Sequence, residues 1–474
     1  MPMYMDLMGV EAVGLIGFFI MLQAWLQLLD LGLSQTLSRD MSLFQIGSLG
    51  ATDVWERLRS LEWLLGLISA IAVAALVFSK NWIATDWLSP GKLPINEGAS
   101  SVAAMAIAAA LRLLVGIYRA SLIGLGRQIW VNGATVIFSS LKFIGVLPVL
   151  IYWSATPSTF FAYQAIVGGL ELLVFAWRMY KALPANPTGL VPSLGALKLM
   201  LPMASAMAFS ALMWSLVTQA DKLILSRLLS LEAFGYFTLG ALVASGVLML
   251  IPPLNQVLQP RMTMLLSESR DDELRDLYQQ ATQLVTAVFF SIGGLMALFA
   301  EPLLLAWTGD TTAAQMAAPI LFWYGLANAT IGLLLMPFLL QYAYGRLRLH
   351  VIGSAIMVAL FLPMMVIAAV RFGGAGAGAA LLIANLAFLV FWVPLVHRRL
   401  MPEIVWRWPL LDVGRVAAPV ILFLMLARQL MPNFESRLAL VLFLGVILLL
   451  ALTAGLLLGN RSRELLFHST ENPA

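Results

Sequence analysis

Residues 8–33 read MGVEAVGLIGFFIMLQAWLQLLDLGL. No side chain between Glu11 and Asp30 is charged. About 20 mostly apolar residues in a helix suffice to cross the hydrocarbon core of a bilayer, so this stretch reads as a membrane span. Comparable stretches place helices near 9–33, 61–79, 99–125, 128–153, 158–182, 197–220, 232–256, 281–307, 313–344, 348–371, 373–398, 412–431 and 436–459, about thirteen in all. The composition agrees. The chain is 61% hydrophobic and 11% charged, whereas a soluble protein is nearer half apolar and a quarter charged. The expected fold is an all-α integral membrane protein.

Placing the loop 34–60 in the cytoplasm gathers nineteen Lys and Arg on that side and seven on the other. That is the bias expected of cytoplasmic loops, and it accounts for the net charge of +4 without a nucleic-acid partner. The opening motif recurs: MGVEAVG at 8–14 and LSLEAFG at 229–235 share Glu-Ala-x-Gly at an offset of 221 residues. Each copy opens an apolar helix. Arg39 or Arg261 follows, with an acidic-basic segment at 49–62 or 261–280 that reads as interfacial. The second copy is preceded by helix 197–220, the first by only seven residues before Met8. A first helix is therefore expected to be missing from the first lobe, with the parent chain beginning further upstream. The segment 183–196, LPANPTGLVPSLGA, reads as a linker. The expected organisation is an N-lobe at 1–182 with five helices, the linker 183–196, a C-lobe at 197–400 with six helices, and 401–474 as two extra helices with a cytoplasmic tail. Paired repeats of this kind are typical of secondary transporters.

The chain has no cysteine and three histidines, His350, His397 and His468, all at or beyond expected helix ends. Disulfides and thiolate chemistry are excluded, and no metal or cofactor is expected.

Three blocks carry a family resemblance: the opening PMYMDLMGVEAVGLIGFFIMLQAWLQLLDLGLSQTLSRDM, then LRLLVGIYRASLIGLGRQIWVNGAT at 111–135, then QADKLILSRLLSLEAFGYFTLG at 219–240. Together they resemble the oligosaccharide (O-antigen type) flippases of the multidrug/oligosaccharidyl-lipid/polysaccharide exporter superfamily, over roughly residues 2–400. The resemblance implies a V-shaped pair of helix bundles that alternates between inward and outward openings, and a transporter in place of an enzyme. The implied cargo is an undecaprenyl-pyrophosphate-linked oligosaccharide repeat unit, moved across a bacterial inner membrane for O-antigen, lipopolysaccharide or exopolysaccharide synthesis. The implied partners are that polyprenyl pyrophosphate lipid, the bilayer, and a polysaccharide polymerase with its chain-length regulator.

A charge at the bilayer centre costs roughly 2.5–3.5 kcal/mol on insertion scales, so it needs a partner or a wet cavity. Arg112, Lys142 and Glu171 stand near the middle of their helices, all in the first lobe. Arg112 and Lys142 are candidates for a cationic cavity holding a pyrophosphate. Arg119, seven residues on along the same helix face, and Arg127 beyond it would extend this cavity toward the cytoplasm. Glu171 and Asp30 are candidates for ion coupling or for a structural ion pair, Asp30 also for a helix cap. Asp221 and Lys222, at the expected end of helix 197–220, are candidates for an outer gate. A multidrug extruder of the same superfamily should carry acidic residues instead, whereas the central charges here sum to +1. A membrane polymerase or ligase should carry a catalytic outer loop, yet the longest, 80–98, has neither His nor Arg.

Overall fold

A computed structural model describes residues 1–89, 91–184 and 192–459. Residues 185–191 of the expected linker and the tail from 460 lie outside these described residues. Every regular element among them is helical. Among the described residues, eleven helices are long and apolar enough to cross a membrane. One of these, Arg348–Leu400, runs for 53 residues, about 80 Å at 1.5 Å per residue, which is enough for two crossings. It is interrupted at Gly373 (φ 60°, ψ −143°), between the expected helices 348–371 and 373–398. Helix Leu194–Leu228, 35 residues long, stands outside those eleven. The eleven and the extra crossing account for twelve of the thirteen expected spans, and the expected span 197–220 falls within helix Leu194–Leu228. The protein is thus a multi-pass, all-α membrane protein.

By packing, the chain forms two compact units, Met3–Gly235 and Tyr236–Ala474 with Met1–Pro2. In the first unit, helix Ile95–Gly124 is central. It packs along Pro157–Ala182, Ala51–Phe78, Leu33–Gln45 and Val10–Gln27. Its alanine-rich faces, including Ala99, Ala106 and Ala109, are buried, and small residues let helix backbones approach closely. Helix Leu194–Leu228, whose sequence falls after the linker, packs on Val10–Gln27, Leu33–Gln45 and Ala51–Phe78. Packing therefore groups it with the first unit, whereas the repeat groups it with the second lobe. The two motif copies also meet inside this unit. A side chain at Gly14 would strike the Leu231 carbonyl, and one at Gly235 would strike the Val10 carbonyl. The contact is reciprocal under the offset of 221 residues.

In the second unit, helix Asp271–Leu298 is central, against Thr311–Ala343 and the C-terminal pair Arg415–Gln429 and Arg437–Leu458. Pro252 and Pro253 open helix Ile251–Ser267 in its first turn. Proline is tolerated there because those N–H groups have no intrahelical partner. A 3-10 turn, Gly246–Leu250, leads into this helix and interrupts the span expected at 232–256.

Several expected boundaries move. The helix expected at 9–33 stops at Gln27. A 3-10 turn and the left-handed pair Leu31 and Gly32 lead into a separate helix, Leu33–Gln45. The segment 49–62 is the first part of the long helix Ala51–Phe78. The segment 261–280 is split by a turn at Glu268–Arg270 between two helices.

Candidate functional site

The candidate site lies inside the first unit, where helices Ile95–Gly124, Gln128–Phe143 and Pro157–Ala182 meet. Gln164, Glu171, Phe175 and Arg178 recur at helical spacing along the last of these; residues three, four or seven apart share a face. Gln164 and Glu171 are each 5% exposed.

Helix Gln128–Phe143 breaks just beyond Lys142. The N–H of Gly145 reaches back five residues to the Ser140 carbonyl, the wide turn of a π-bulge. A side chain at Gly145 would collide with the Leu141 carbonyl and the Tyr163 hydroxyl, so the close approach needs glycine. The break frees carbonyls at membrane depth, where an unsatisfied backbone group costs several kcal/mol. Three side chains take them up. Tyr163 donates to Leu141 at 3.1 Å, Gln164 donates to Lys142 at 2.8 Å, and Tyr4 donates to Phe143. These bonds hold the end of the broken helix against helix Pro157–Ala182, with the Lys142 ammonium on Glu171.

Lys142 Nζ lies 2.5 Å from Glu171 Oε2, and Arg119 Nη2 lies 3.4 Å from Glu171 Oε1. Lys142 and Glu171 side chains are 13% and 6% exposed; that of Arg119 is 36% exposed. The Arg119 guanidinium also sits over the Phe175 ring, 5.8 Å from its centroid. Phe175 packs edge-on with Trp130, and Arg178 lies over Trp130 at 5.7 Å. Two guanidiniums thus flank an aromatic pair, a favourable placement over ring faces. Arg112, one face with Arg119, is exposed and forms no ion pair with the described residues. It is within electrostatic reach of both Arg119 and Glu171. Between the two arginines, Gly116 faces open space.

Of the residues expected at the site, Arg112, Arg119, Lys142 and Glu171 come together. Arg127 does not join them: helix Ile95–Gly124 ends before it, and Arg127 is exposed at the start of the next helix. Asp30 caps helix Leu33–Gln45, accepting from Ser34 Oγ at 2.7 Å and Ser34 N at 3.1 Å. Among the described residues its bonds are those of this cap. Asp221 and Lys222 lie about two turns inside helix Leu194–Leu228, because the helix continues through DKLILSRL. Lys222 Nζ donates to the Thr218 carbonyl at 2.7 Å and lies 3.4 Å from Asp221.

Two polar clusters were not anticipated. In the first unit, Glu62 accepts from Arg59 at 2.9 Å and from the Tyr180 hydroxyl at 2.5 Å. Arg59 lies over the stacked rings of Trp55 and Tyr180. Trp55 also donates to the Pro184 carbonyl at 3.1 Å, where the linker begins. The sequence signal was the arginine and glutamate three apart at the head of an apolar run. In the second unit, buried Asp412 accepts from Gln279 at 3.2 Å and Gln283 at 3.0 Å. Beside it, Tyr278 bonds His397 at 2.8 Å and Trp408 donates to Thr282 at 3.0 Å. Its signal was two glutamines four apart in an apolar helix. Another buried carboxylate, Glu11 of the repeated motif, accepts from the backbone N–H groups of Gly91, Lys92 and Leu93 at 2.8–3.1 Å. No cluster of three or more His, Cys, Asp or Glu able to hold a metal occurs among the described residues.

The fold matches solved transporters. An inward-facing multidrug resistance MATE family transporter of the MOP superfamily aligns with a TM-score of 0.70 and 13% identity, covering 86% of this chain and 94% of its own. The lipid II flippase MurJ, in an inward closed conformation, aligns with a TM-score of 0.62 and 14% identity, covering 98% of both chains. A MOP superfamily transporter from Pyrococcus furiosus aligns with a TM-score of 0.54 and 14% identity, covering 84% and 88%. At these identities the likeness is one of fold. No curated protein matches the chain. The family of polysaccharide biosynthesis proteins matches over residues 7–313. Having that match over more than half its length and the fold of membrane transporters, this chain belongs to the polysaccharide biosynthesis protein family.

Proposed function

We propose that the protein is a flippase that carries undecaprenyl-pyrophosphate-linked oligosaccharide repeat units across the bacterial inner membrane by alternating access. The observation that carries this reading is the charge of the first-unit cluster: Arg112, Arg119 and Lys142 against the single carboxylate of Glu171. A pyrophosphate head group must leave water to cross. Fixed cations in a low-dielectric cleft offset that loss, and arginine can hold two phosphate oxygens at once. In this reading Arg112 and Arg119 engage the phosphates, Lys142 adds a point charge, and Arg127 attracts anionic lipid at the helix end. Asp221 and Lys222 remain a gate proposal for helix Leu194–Leu228. The O-antigen type of cargo, and a polymerase with a chain-length regulator as partners, belong to the same proposal.

The test is the leaflet and length of lipid-linked sugars in cells lacking the gene. The expected result is a build-up of single repeat units facing the cytoplasm, relieved by the wild-type gene and not by an Arg112→Ala, Arg119→Ala double variant. Single units building up on the outer face would refute the proposal and point to a polymerase. Unchanged lipid-linked sugars would refute it in favour of drug extrusion.

A further inference from the structure

The three cations do not meet Glu171 equally. Lys142 is tightly bound at 2.5 Å, whereas Arg119 reaches it with one nitrogen at 3.4 Å. Charge-assisted N–H···O bonds usually close to about 2.7–2.9 Å, so the Arg119 contact is loose. Arg119 Nε is buried without a partner, and Arg112 has no ion pair among the described residues. A guanidinium carries five donors, so donors remain unused on both arginines. Room is available on the same helix face, because Gly116 between them meets no atom within 4 Å of where a side chain would start.

We infer that Glu171 competes with the anionic head group of the cargo for Lys142 and Arg119. The inference rests on the reading of this cluster as the head-group site. A carboxylate brings one negative charge and two oxygens in a plane. A diphosphate brings two or three charges and oxygens spread over two tetrahedra, which match forked guanidinium donors better. On arrival it takes Arg112 and Arg119 first, through the unused donors beside Gly116, and then draws Lys142 away from Glu171. The displaced carboxylate becomes a like charge next to the bound phosphates. Its return to Lys142 and Arg119 favours release. Tight binding and easy departure, which oppose each other in a site of fixed cations alone, are reconciled by one movable carboxylate. The same carboxylate keeps Lys142, whose side chain is 13% exposed, from standing uncompensated within the membrane.

The experiment is calorimetric titration of inorganic pyrophosphate into the purified full-length protein in lipid nanodiscs. Wild type is compared with the variants E171Q, E171D and R112A. A merely structural Glu171 leads to weaker or unchanged binding when it is replaced, because the cluster loosens. Competition leads to the opposite: E171Q binds pyrophosphate about tenfold more tightly than wild type. E171D, one methylene too short to hold both cations, falls between them. Pyrophosphate also raises the melting temperature of E171Q more than that of wild type. E171D carries the same test if E171Q does not fold. Equal or weaker binding by both Glu171 variants, with R112A still weakening the wild-type interaction, overturns the competition and leaves the head-group site standing. No pyrophosphate binding by any of the proteins overturns the head-group site and the competition with it.

Discussion

Replacing Lys142 by methionine keeps the bulk of the side chain and removes its charge from the 2.5 Å contact with Glu171. At that distance and an effective dielectric of about 20, the gross attraction is about 7 kcal/mol. Most of it is offset by the cost of bringing both groups out of water. Removing one partner of a buried pair nevertheless costs about 3–5 kcal/mol, because a charge is left without compensation. Arg119 already stands 3.4 Å from the other oxygen of Glu171 and can close on it, which places K142M near the lower end, about 3 kcal/mol. Replacing Glu171 by methionine strands two cations, and the loss is expected nearer 4 kcal/mol on the same scale. The double variant removes both buried charges. Arg119 remains, but its side chain is 36% exposed and can turn its head toward water. The double variant should therefore lose only about 1 kcal/mol, far from the sum of the two single losses, a coupling well outside the usual scatter of independent sites. The assay is reversible unfolding in mixed micelles with increasing denaturing detergent. Single losses that simply add in the double variant would refute the argument that Glu171 is held by Lys142.

Three further outcomes follow from the same structure. Arg112→Ala should leave the unfolding free energy within about 0.5 kcal/mol of wild type, as for exposed residues without partners, while transport in the lipid-linked sugar assay falls at least tenfold; a destabilised variant with normal transport would contradict its assigned place. Glu11→Ala removes a buried acceptor shared by three backbone N–H groups and should cost about 2–3 kcal/mol, read in the same unfolding assay and accompanied by faster hydrogen exchange at residues 91–93. Gly373→Ala puts a side chain at φ 60°, ψ −143°, a conformation essentially reserved for glycine; a loss of about 1–3 kcal/mol is expected, and an unchanged melt would show that the break relaxes freely.

The spans were legible because the bilayer imposes a length and a composition on every crossing. The pairing of Lys142 with Glu171 was legible in kind, since charges in apolar helices need partners and few were on offer; that Arg119, and not Arg112, reaches the other oxygen was not. What remained hidden depends on contacts between distant segments. Nothing local at Lys142 announces that Tyr163, Gln164 and Tyr4 will cap a broken helix there. Neutral Gln279 and Gln283 give little warning that they enclose Asp412. Glu62 was hidden by its position at the head of a span, where charge is ordinarily wet. Helix Leu33–Gln45 was missed for the reverse reason. Its polar sequence suggested a loop, although Asp30 and Ser34, four apart, already encoded the cap. Helix Leu194–Leu228 shows a different limit: repeat arithmetic groups segments by likeness, whereas packing groups them by contact.

The reciprocal meeting of Gly14 with Leu231 and of Gly235 with Val10 is the contact that a half-length chain would make with a second copy of itself, residue for residue. In such a pair every substitution is made twice, so a cation placed in one copy appears in the other and doubles an insertion cost already large for a single charge. Joining the copies in one polypeptide removes that constraint while the glycine crossing is retained. One half is then free to collect Arg112, Lys142 and Glu171, and the other to leave the corresponding helices without a charge near their centres. The crossing at Gly14 and Gly235 thus keeps a two-fold relation between the two motif copies while the charges around them differ.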